Sequence, residues 1–430
     1  MIHYRRDTNK RLDEIHNSKP FSVNNITTGG KAEGTALYFE SDIDRLYAIK
    51  GITCVEPGLP CLSPTVLHLD KTGCSPGYTR VKQVHIGENN SILNKHLVSE
   101  QNEIYVANSF SIFRENAYML DINGVRITKQ EKSGPSAPYG NTSIKYDFVF
   151  GFECTCQDLI EKWFNRPRKY EWPGPRLIKH ISTLEGHVVP VANKGSKFPL
   201  TEWRICFTKA ELMLMHSLDE CQTKLYILLK LIAKSLLKPL CSEMSSYIMK
   251  NIVFWIVETS PYERFSQQSL IDRLVDSLTY LKDCLSSNVL KSYMIAERNL
   301  FKGRITEIEK KLLIKKIDEL VNEKETMFQH CDKIREAMTK LKESPEEFAK
   351  EAEKRDKIEK LVYKKNIIFK ETDTPGQAVE IFQDRLKRNE GYIRYEKELH
   401  KLVVPDLIDT IDQGQNFEEV YRDRLSTILS

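Results

Sequence analysis

The chain has 430 residues, of which 29% are charged and 40% are hydrophobic, and its formal net charge is +4. This length permits two or three domains with sizeable cores, and the small positive excess permits a polyanionic partner without requiring one. The longest apolar stretches, 225–237 and 247–257, are interrupted by lysines and are too short to span a bilayer. We therefore expect a soluble protein with no membrane partner.

The cysteines and the N-terminus bear on location. Ten cysteines lie in contexts typical of free thiols, as at Cys206, and residues 1–6 lack the apolar core of a signal peptide. These features predict a reducing compartment, the cytoplasm, with the nucleus as the alternative.

The first 150 residues contain one predicted helix followed by predicted strands. In residues 4–17, Tyr4, Leu12 and Ile15 recur at roughly helical spacing, and the Asn-Ser-Lys-Pro sequence that follows ends the helix. From residue 23 to about 152 the pattern changes to β-type runs separated by Gly, Pro, Ser and Asn, which predicts a sheet-containing lobe. The clearest predicted strands are 43–49, 65–69, 78–85 and 146–152.

The later part of the chain is predicted to be mainly helical. Apolar residues recur every three or four positions in 156–164 and, after a loop at Pro173-Gly174-Pro175, again from about residue 209. After residue 301 the chain becomes strongly charged, with 27 Lys/Arg and 28 Asp/Glu among the remaining 130 residues. We expect solvated helices there, with breaks at Ser344-Pro345 and Pro375-Gly376. The predicted helices before that point are 156–164, 211–218, 222–237, 245–257 and 267–285.

A glycine pair and three acids are the candidate functional residues. Gly29-Gly30 has no Cβ to block a phosphate and offers free backbone N–H groups. In a strand, Asp42 and Asp44 project from one face while the residue between them points into the core. Asp147 lies in an apolar run, where an ionised carboxylate is costly unless a cation or a hydrogen-bonding network meets it. Together they predict a metal-dependent nucleotidyltransferase site, because carboxylates must hold the divalent metals that such transfer uses.

Each of these features also has an ordinary structural interpretation. A D-x-D pair alone is usually a turn or a strand edge, and a Gly-Gly pair is usually just a turn. Asp147 could be an edge-strand acid paired with a basic residue. The occurrence of all three in this order favours the metal site.

The motifs resemble those of a known family. The order of glycine pair, D-x-D pair and later acid is similar to the signature of the polymerase-beta-like nucleotidyltransferase superfamily. Residues 29–34 followed by 41–44 resemble in particular the cyclic GMP-AMP synthase-like receptors, also called the Mab-21 family. Further similar motifs extend the resemblance over about residues 20–305, at 133–136, 163–173, 188–191, 202–211, 245–250, 293 and 299–301.

The resemblance implies a fold and a division into domains. The expected fold is α+β and bilobal, a nucleotidyltransferase fold with a mixed β-sheet lobe, a helical lobe and a charged helical C-terminal extension. The expected divisions are a short, truncated spine helix (1–20), the nucleotidyltransferase catalytic core (21–200), the helical lobe of the Mab-21 domain (201–305) and the extension (306–430).

The resemblance also implies an activity and its site residues. Such an enzyme is activated by nucleic acid and joins ATP and GTP, or similar nucleotides, into a cyclic dinucleotide second messenger such as cyclic GMP-AMP in innate immune signalling. Two Mg2+ (or Mn2+) ions are the implied cofactors, and Asp42, Asp44 and Asp147 are the implied metal ligands and catalytic residues. The implied nucleotide contacts are Gly29, Gly30 and Lys31 at the triphosphate, Arg204 and Lys230 at phosphate or base, and Tyr247 stacked on a base.

Alternatives and departures from the family pattern accompany this hypothesis. Apart from the resemblance, Arg204 could pair with Glu211, and Tyr247 could be a core residue. Cys206 and Thr208 replace two serines of the family's W-R-x-S-F-S run, which leaves the base preference open. The vertebrate DNA sensor of this family carries a zinc loop, but the Cys-x-Cys spacing at 154–156 differs from it, so no structural zinc is expected.

Double-stranded RNA or DNA is the expected activator, with RNA slightly favoured, and the oligomeric state is open. Basic side chains contact nucleic-acid phosphates without reading sequence, although each candidate could also belong to an ordinary solvated surface. The functional alternatives are a catalytically inactive Mab-21 family protein with a binding or developmental role, and template-free transfer of nucleotides to an acceptor. The candidate nucleic-acid contacts are Arg5, Arg6, Lys10, Arg11, Lys234 and Lys238.

Overall fold

A computed structural model describes residues 1–87, 91–100, 102–111, 119–120, 126–129, 136–140, 145–406 and 416–430. Most of the 133–136 motif therefore lies outside the described residues. Helices and strands are both present, so the predicted α+β fold class is confirmed. Within the described part of the chain, no helix is long and apolar enough to cross a membrane.

One mixed sheet forms the first lobe. Strand β2 pairs parallel with β3 and β10, whereas its pairing with β1 is antiparallel. Antiparallel pairing then joins β3 to β4, β4 to β12, β12 to β11 and β11 to β10, which closes a circuit back to β2. The strands are β1 (Val23–Thr27), β2 (Ile43–Val55), β3 (Thr65–Asp70), β4 (Tyr78–His85), β5 (Leu97–Glu100), β6 (Glu103–Val106), β7 (Met119–Leu120), β8 (Arg126–Lys129), β9 (Ala137–Gly140), β10 (Lys145–Thr155), β11 (Gly186–Val189) and β12 (Glu202–Cys206).

Strand β10 shows why the sheet forms where the sequence predicts it. Phe148, Phe150 and Phe152 alternate along the strand, and each is at most 2% exposed. Because successive side chains in a strand point to opposite faces, this alternation buries one face and leaves Asp147 on the other. All four strands predicted from the sequence are present, as β2, β3, β4 and β10.

Helices surround the sheet and form the second lobe. The carboxylate of Asp219 caps α7 by accepting a hydrogen bond from the Gln222 N–H. The Gln222 side-chain oxygen in turn accepts a hydrogen bond from the Asp219 N–H. The predicted helix 222–237 is α7 followed by one π-helical turn, Ala233–Leu237. The helices up to residue 300 are α1 (Ile2–Asn17), α2 (Gly29–Ala32), α3 (Ser91–Asn94), α4 (Gln157–Phe164), α5 (Pro175–Ile181), α6 (Thr208–His216), α7 (Glu220–Ile232), α8 (Ser246–Thr259) and α9 (Leu270–Ser287).

The C-terminal extension is helical but is not a set of solvated helices. Helix α12 packs along α1, and its residues Ile358 and Val362 are at most 1% exposed and belong to the main core. The expectation of solvated helices is therefore wrong here, because the charged residues surround an apolar stripe that packs into the main core. The helices of the extension are α10 (Glu307–Glu323), α11 (Asp332–Glu343), α12 (Pro345–Thr372), α13 (Val379–Arg388), α14 (Glu390–Val403) and α15 (Phe417–Ile428).

A buried ion pair fastens the extension to the N-terminal helix. Arg5 Nε lies 2.9 Å from Glu359 Oε1, and Arg5 Nη2 lies 2.7 Å from Glu359 Oε2. The Arg5 side chain is 9% exposed, and that of Glu359 is 0% exposed. Such a bidentate pair is geometrically specific, and removing one partner leaves the other charge buried and uncompensated.

We expect Glu359→Gln to lower the free energy of unfolding by about 3–5 kcal/mol, because it removes the counter-charge of Arg5. Glu398→Gln is the matched control: it breaks the Lys357–Glu398 pair, whose side chains are 56% and 40% exposed, and should cost less than about 1 kcal/mol. Urea unfolding of both variants measures the difference. Equal losses in the two variants would contradict a structural role for the buried pair.

Candidate active site

The glycine turn lies directly against a carboxylate. Gly29 follows β1 and has φ +62°, and a Cβ placed on it would lie 2.1 Å from Asp44 Oδ2. The N–H of Thr28 donates to the Asp44 carbonyl at 2.9 Å. Position 29 therefore requires glycine for two reasons: its backbone is left-handed, and Asp44 occupies the space where a Cβ would lie.

Two of the three acids are neighbours on parallel strands. Asp44 near the start of β2 pairs in register with Asp147 near the start of β10. Ser136 Oγ lies 3.2 Å from Asp147 Oδ1 and donates to it. Asp42 precedes β2 and is exposed, and Ile43 is buried as the alternation predicts. The structure thus brings Asp44 and Asp147 together at the starts of two neighbouring strands beside Gly29, with Asp42 exposed two residues before Asp44, while the role of all three as metal ligands stays a prediction.

Electrostatics shows that these carboxylates repel one another. Burial, together with the nearby Asp147 and Asp42 charges, raises the pKa of Asp44 to about 7. Burial also raises the pKa of Asp147, with a second contribution from Asp42. Adjacent like charges in a partly buried site disfavour ionisation, and a bound cation reverses that preference.

The donor set fits a hard divalent cation. Carboxylate oxygens suit Mg2+ and Mn2+, and Mg2+ commonly takes one or two carboxylates together with substrate phosphates and water. Among the described residues, no group of three or more His, Cys, Asp or Glu side chains could hold a metal ion by itself. Asp44 and Asp147 would hold such an ion through two carboxylates and leave its other ligands to water or to a bound molecule.

A cavity of about 480 Å³ extends from the acids toward the helical lobe. This volume is typical of small-molecule sites. Its lining includes Gly29, Asp44, Asp147, Arg204, Cys206, Glu211, Tyr247, Lys250 and Arg298.

Three predicted nucleotide contacts lie at or near this cavity. Arg204 is on β12 of the sheet rather than in the helical lobe, and its Nε lies 3.3 Å from Cys206 Sγ. The Tyr247 hydroxyl donates to Glu211 at 3.2 Å, and the ring stays at the cavity wall, so Tyr247 is not simply a core residue. Lys230 Nζ lies 3.3 Å from the place of a Cβ on Gly30, which brings its charge to the glycine turn.

Lys31 does not reach the site. Its side chain points inward, and its ammonium donates to the carbonyl oxygens of Leu37 and Tyr38, the latter at 2.7 Å. Lys31 is 2% exposed, and burial lowers its pKa to about 7. The predicted contact between Lys31 and a triphosphate is therefore wrong, because the short helix α2 turns this side chain away from the cavity.

The candidate nucleic-acid contacts fall into two groups, one buried and one exposed. Arg5 is paired with Glu359, and Arg6 Nε donates to the Glu33 carbonyl at 2.9 Å, so these two buried guanidinium groups are not available to a duplex. The other four candidates, Lys10, Arg11, Lys234 and Lys238, are exposed.

Sequence reasoning missed a buried charge network between the lobes. Glu33, just after the glycine turn, lies 2.8 Å from Lys250 Nζ and accepts from the Tyr226 hydroxyl at 2.9 Å. Lys250 also lies 3.5 Å from Glu211. Burial alone would raise the pKa of Glu33, but Lys250 and Lys230 outweigh it and hold that pKa below its usual value. A lysine within the apolar run 247–257 was the available signal, because a charge there needs a partner.

Comparison with known protein families agrees with this geometry. The fold is α+β, and the match to a family model implies a nucleotidyltransferase fold. Residues 212–319 match the family model of the Mab-21 protein HhH/H2TH-like domain. The matched segment does not include the glycine turn or the three acids; it confirms the predicted resemblance to the Mab-21 family and the cyclic GMP-AMP synthase-like nucleotidyltransferases.

Gly29→Ala should lower the affinity for a triphosphate, because the added Cβ would displace the Asp44 carboxylate. Gly58→Ala is the matched control, since Gly58 has φ +89° but nothing lies within 4 Å of its Cβ position. Each alanine carries a backbone strain of about 1–2 kcal/mol. Both variants should therefore lose stability. Only Gly29→Ala should weaken Mg-ATP binding as well, by about tenfold or more, as measured by calorimetric titration. Equal affinities in the two variants would contradict the contact.

Asp44 should make the metal-free protein less stable as pH rises. Its pKa is about 7 in the folded state against an ordinary value of 3.8, so the folded state binds more protons between these values and stability falls across that window. Asp44→Asn removes this loss. The free energy of unfolding of the variant minus that of the wild type should grow by about 3 kcal/mol between pH 5 and pH 8. The exposed Asp272→Asn is the control, and a pH-independent difference for Asp44→Asn would refute the assignment.

Proposed function

We propose that the protein is a metal-dependent nucleotidyltransferase that joins nucleoside triphosphates into a cyclic dinucleotide. One observation carries the proposal: the in-register pair Asp44–Asp147 lies against Gly29 at one end of a cavity whose other walls hold Arg204 and Tyr247. The Mab-21 domain match supports the class of enzyme.

The proposed reaction is attack of a ribose hydroxyl on the α-phosphorus of a second nucleotide, with pyrophosphate leaving. When bound, divalent ions stabilise the attacking and leaving oxygens of such a displacement. In this chain Asp42, Asp44 and Asp147 would hold those ions. The glycine turn leaves room for phosphate oxygens, and Lys230 brings a positive charge to the same place.

The opposite walls of the cavity are suited to a base. Tyr247 presents a flat aromatic ring, and Arg204 presents a planar guanidinium. Glu211 accepts from Tyr247 and faces Lys250, so these side chains are held by one another before a ligand binds. This preorganisation favours a nucleotide whose base stacks in a fixed place against Tyr247 and whose ribose points toward the acids.

A double-stranded nucleic acid, either RNA or DNA with RNA slightly favoured, is the proposed activator. Lys234 lies in the π-helical turn that follows α7, and Lys238 comes directly after that turn; both are exposed, and these two positive charges are the proposed contact face. This face replaces Arg5 and Arg6, whose burial removes them from the proposed contact surface. Lys230 lies in the last turn of α7, directly before this π-helical turn, which gives a short connection along the chain from the proposed duplex contact to the glycine turn.

Asp44→Asn and Asp147→Asn should each abolish product formation, by about a thousandfold or more, because each removes a negatively charged metal ligand. The assay incubates the full chain with radiolabelled ATP and GTP, Mg2+ or Mn2+, and a panel of long RNA and DNA duplexes. The expected product resists phosphatase.

Asp272→Asn is the control, because Asp272 is exposed on α9 and lies outside the cavity lining. It should match the wild type, and all variants should retain the wild-type circular dichroism spectrum. Linear products would favour nucleotide transfer to an acceptor instead. An absence of product under every combination of duplex, metal and nucleotide would indicate a non-catalytic member of the family.

A further inference from the structure

The segment between the glycine turn and the acids is held by several parts of the protein. Residues 33–40, called here the linker segment, join the turn to Asp42. Its conformation therefore determines where the turn lies relative to the first acid. The contacts of the linker segment indicate which elements control that geometry.

From the inner side, the linker segment is held by α1 and α7. Arg5 Nη1 donates to the Gly34 carbonyl at 3.2 Å, and Lys230 Nζ donates to Thr35 Oγ1 at 3.2 Å. Gly34 packs so closely on α1 that a Cβ there would lie 2.5 Å from the Ile2 carbonyl oxygen. These contacts come from within the two lobes.

From the outer side, the same segment is held by the C-terminal extension. Asn366 Nδ2 on α12 donates to the Tyr38 hydroxyl at 2.8 Å, and both residues are buried. The Phe39 N–H donates to the Leu429 carbonyl at 2.9 Å. Tyr363 packs edge-to-face on Tyr38 with ring centroids 5.3 Å apart. Residues more than 300 positions away along the chain thus contact two consecutive residues of the linker segment.

Tyr38 is connected in turn to the glycine turn. The Lys31 ammonium donates to the Tyr38 carbonyl at 2.7 Å, and Lys31 follows Gly30 directly. A continuous path of hydrogen bonds and covalent chain therefore runs from Asn366 through Tyr38 and Lys31 to the turn. The same lysine that fails to reach a triphosphate here connects the turn to the extension.

We propose that Asn366 is a positioning residue: by holding Tyr38 it fixes the linker segment and the glycine turn in the arrangement that receives the triphosphate, so the C-terminal extension is part of the active-site scaffold. The kinetic consequence rests on the proposed nucleotidyltransferase function. The structural consequence, a rigid linker segment, does not.

The test compares Asn366→Ala and Tyr38→Phe with a matched control. Asn389→Ala also removes a hydrogen bond made by a side chain of the extension, since Asn389 caps α14 by accepting from the Tyr392 N–H at 2.9 Å, but it does not touch the linker segment. Hydrogen–deuterium exchange of residues 30–42, Mg-ATP affinity and kcat/KM are measured on the full chain.

Asn366→Ala and Tyr38→Phe should each speed exchange in 30–42 by about tenfold or more and lower Mg-ATP affinity and kcat/KM by about tenfold. Exchange in β10 should not change. The double variant should be no worse than either single variant, because both remove the same bond. Asn389→Ala should leave the exchange of 30–42, Mg-ATP affinity and kcat/KM at wild-type values.

Three results would overturn the inference: unchanged exchange in 30–42 for Asn366→Ala, an equal effect of Asn389→Ala, or higher activity in Asn366→Ala, which would make the extension a restraint rather than a support. If the wild type forms no product, the proposed function fails, and exchange together with Mg-ATP affinity still decides the positioning role.

Discussion

The contact between Gly29 and Asp44 is the constraint on which the site depends. A carboxylate oxygen occupies the space where any other residue would place its Cβ, so the turn and the acid fix each other. The parallel pairing of β2 with β10 then brings Asp147 to the same place. Burial raises the pKa of both carboxylates, Asp147 and Asp42 add to the rise at Asp44, and Asp42 adds to it at Asp147. A bound cation would offset this cost of ionisation.

Around that contact, buried charges connect parts of the protein that the sequence keeps far apart. Glu33 pairs with Lys250 across the two lobes, and Arg5 pairs with Glu359 between the first helix and the extension. Such pairs contribute little net stability but are costly to break. They favour one relative arrangement of lobes and extension, which is what a site assembled from several elements requires.

Much of the fold could be predicted because its patterns are local. The strand β10 is predicted from its alternating phenylalanines, and the turn at Gly29 is predicted from its glycine pair. Both signals come from residues that are adjacent or nearly adjacent in sequence. The direction of Lys31 could not be read in this way, since adjacency to a glycine turn does not say which way α2 points its side chains. The burial of Arg5 and the packing of α12 depend on partners more than 300 positions away, and a high charge content hid the apolar stripe of Ile358 and Val362.

The most direct test is a crystal structure of the full chain with Mg2+ and a non-hydrolysable ATP analogue. The account predicts an ion bound by oxygens of Asp44 and Asp147 at about 2.1 Å, the Mg–O distance, with the triphosphate against Gly29 and Gly30 and its base near Tyr247. A triphosphate bound elsewhere, or one bound in the cavity with no ion on these two carboxylates, would contradict it.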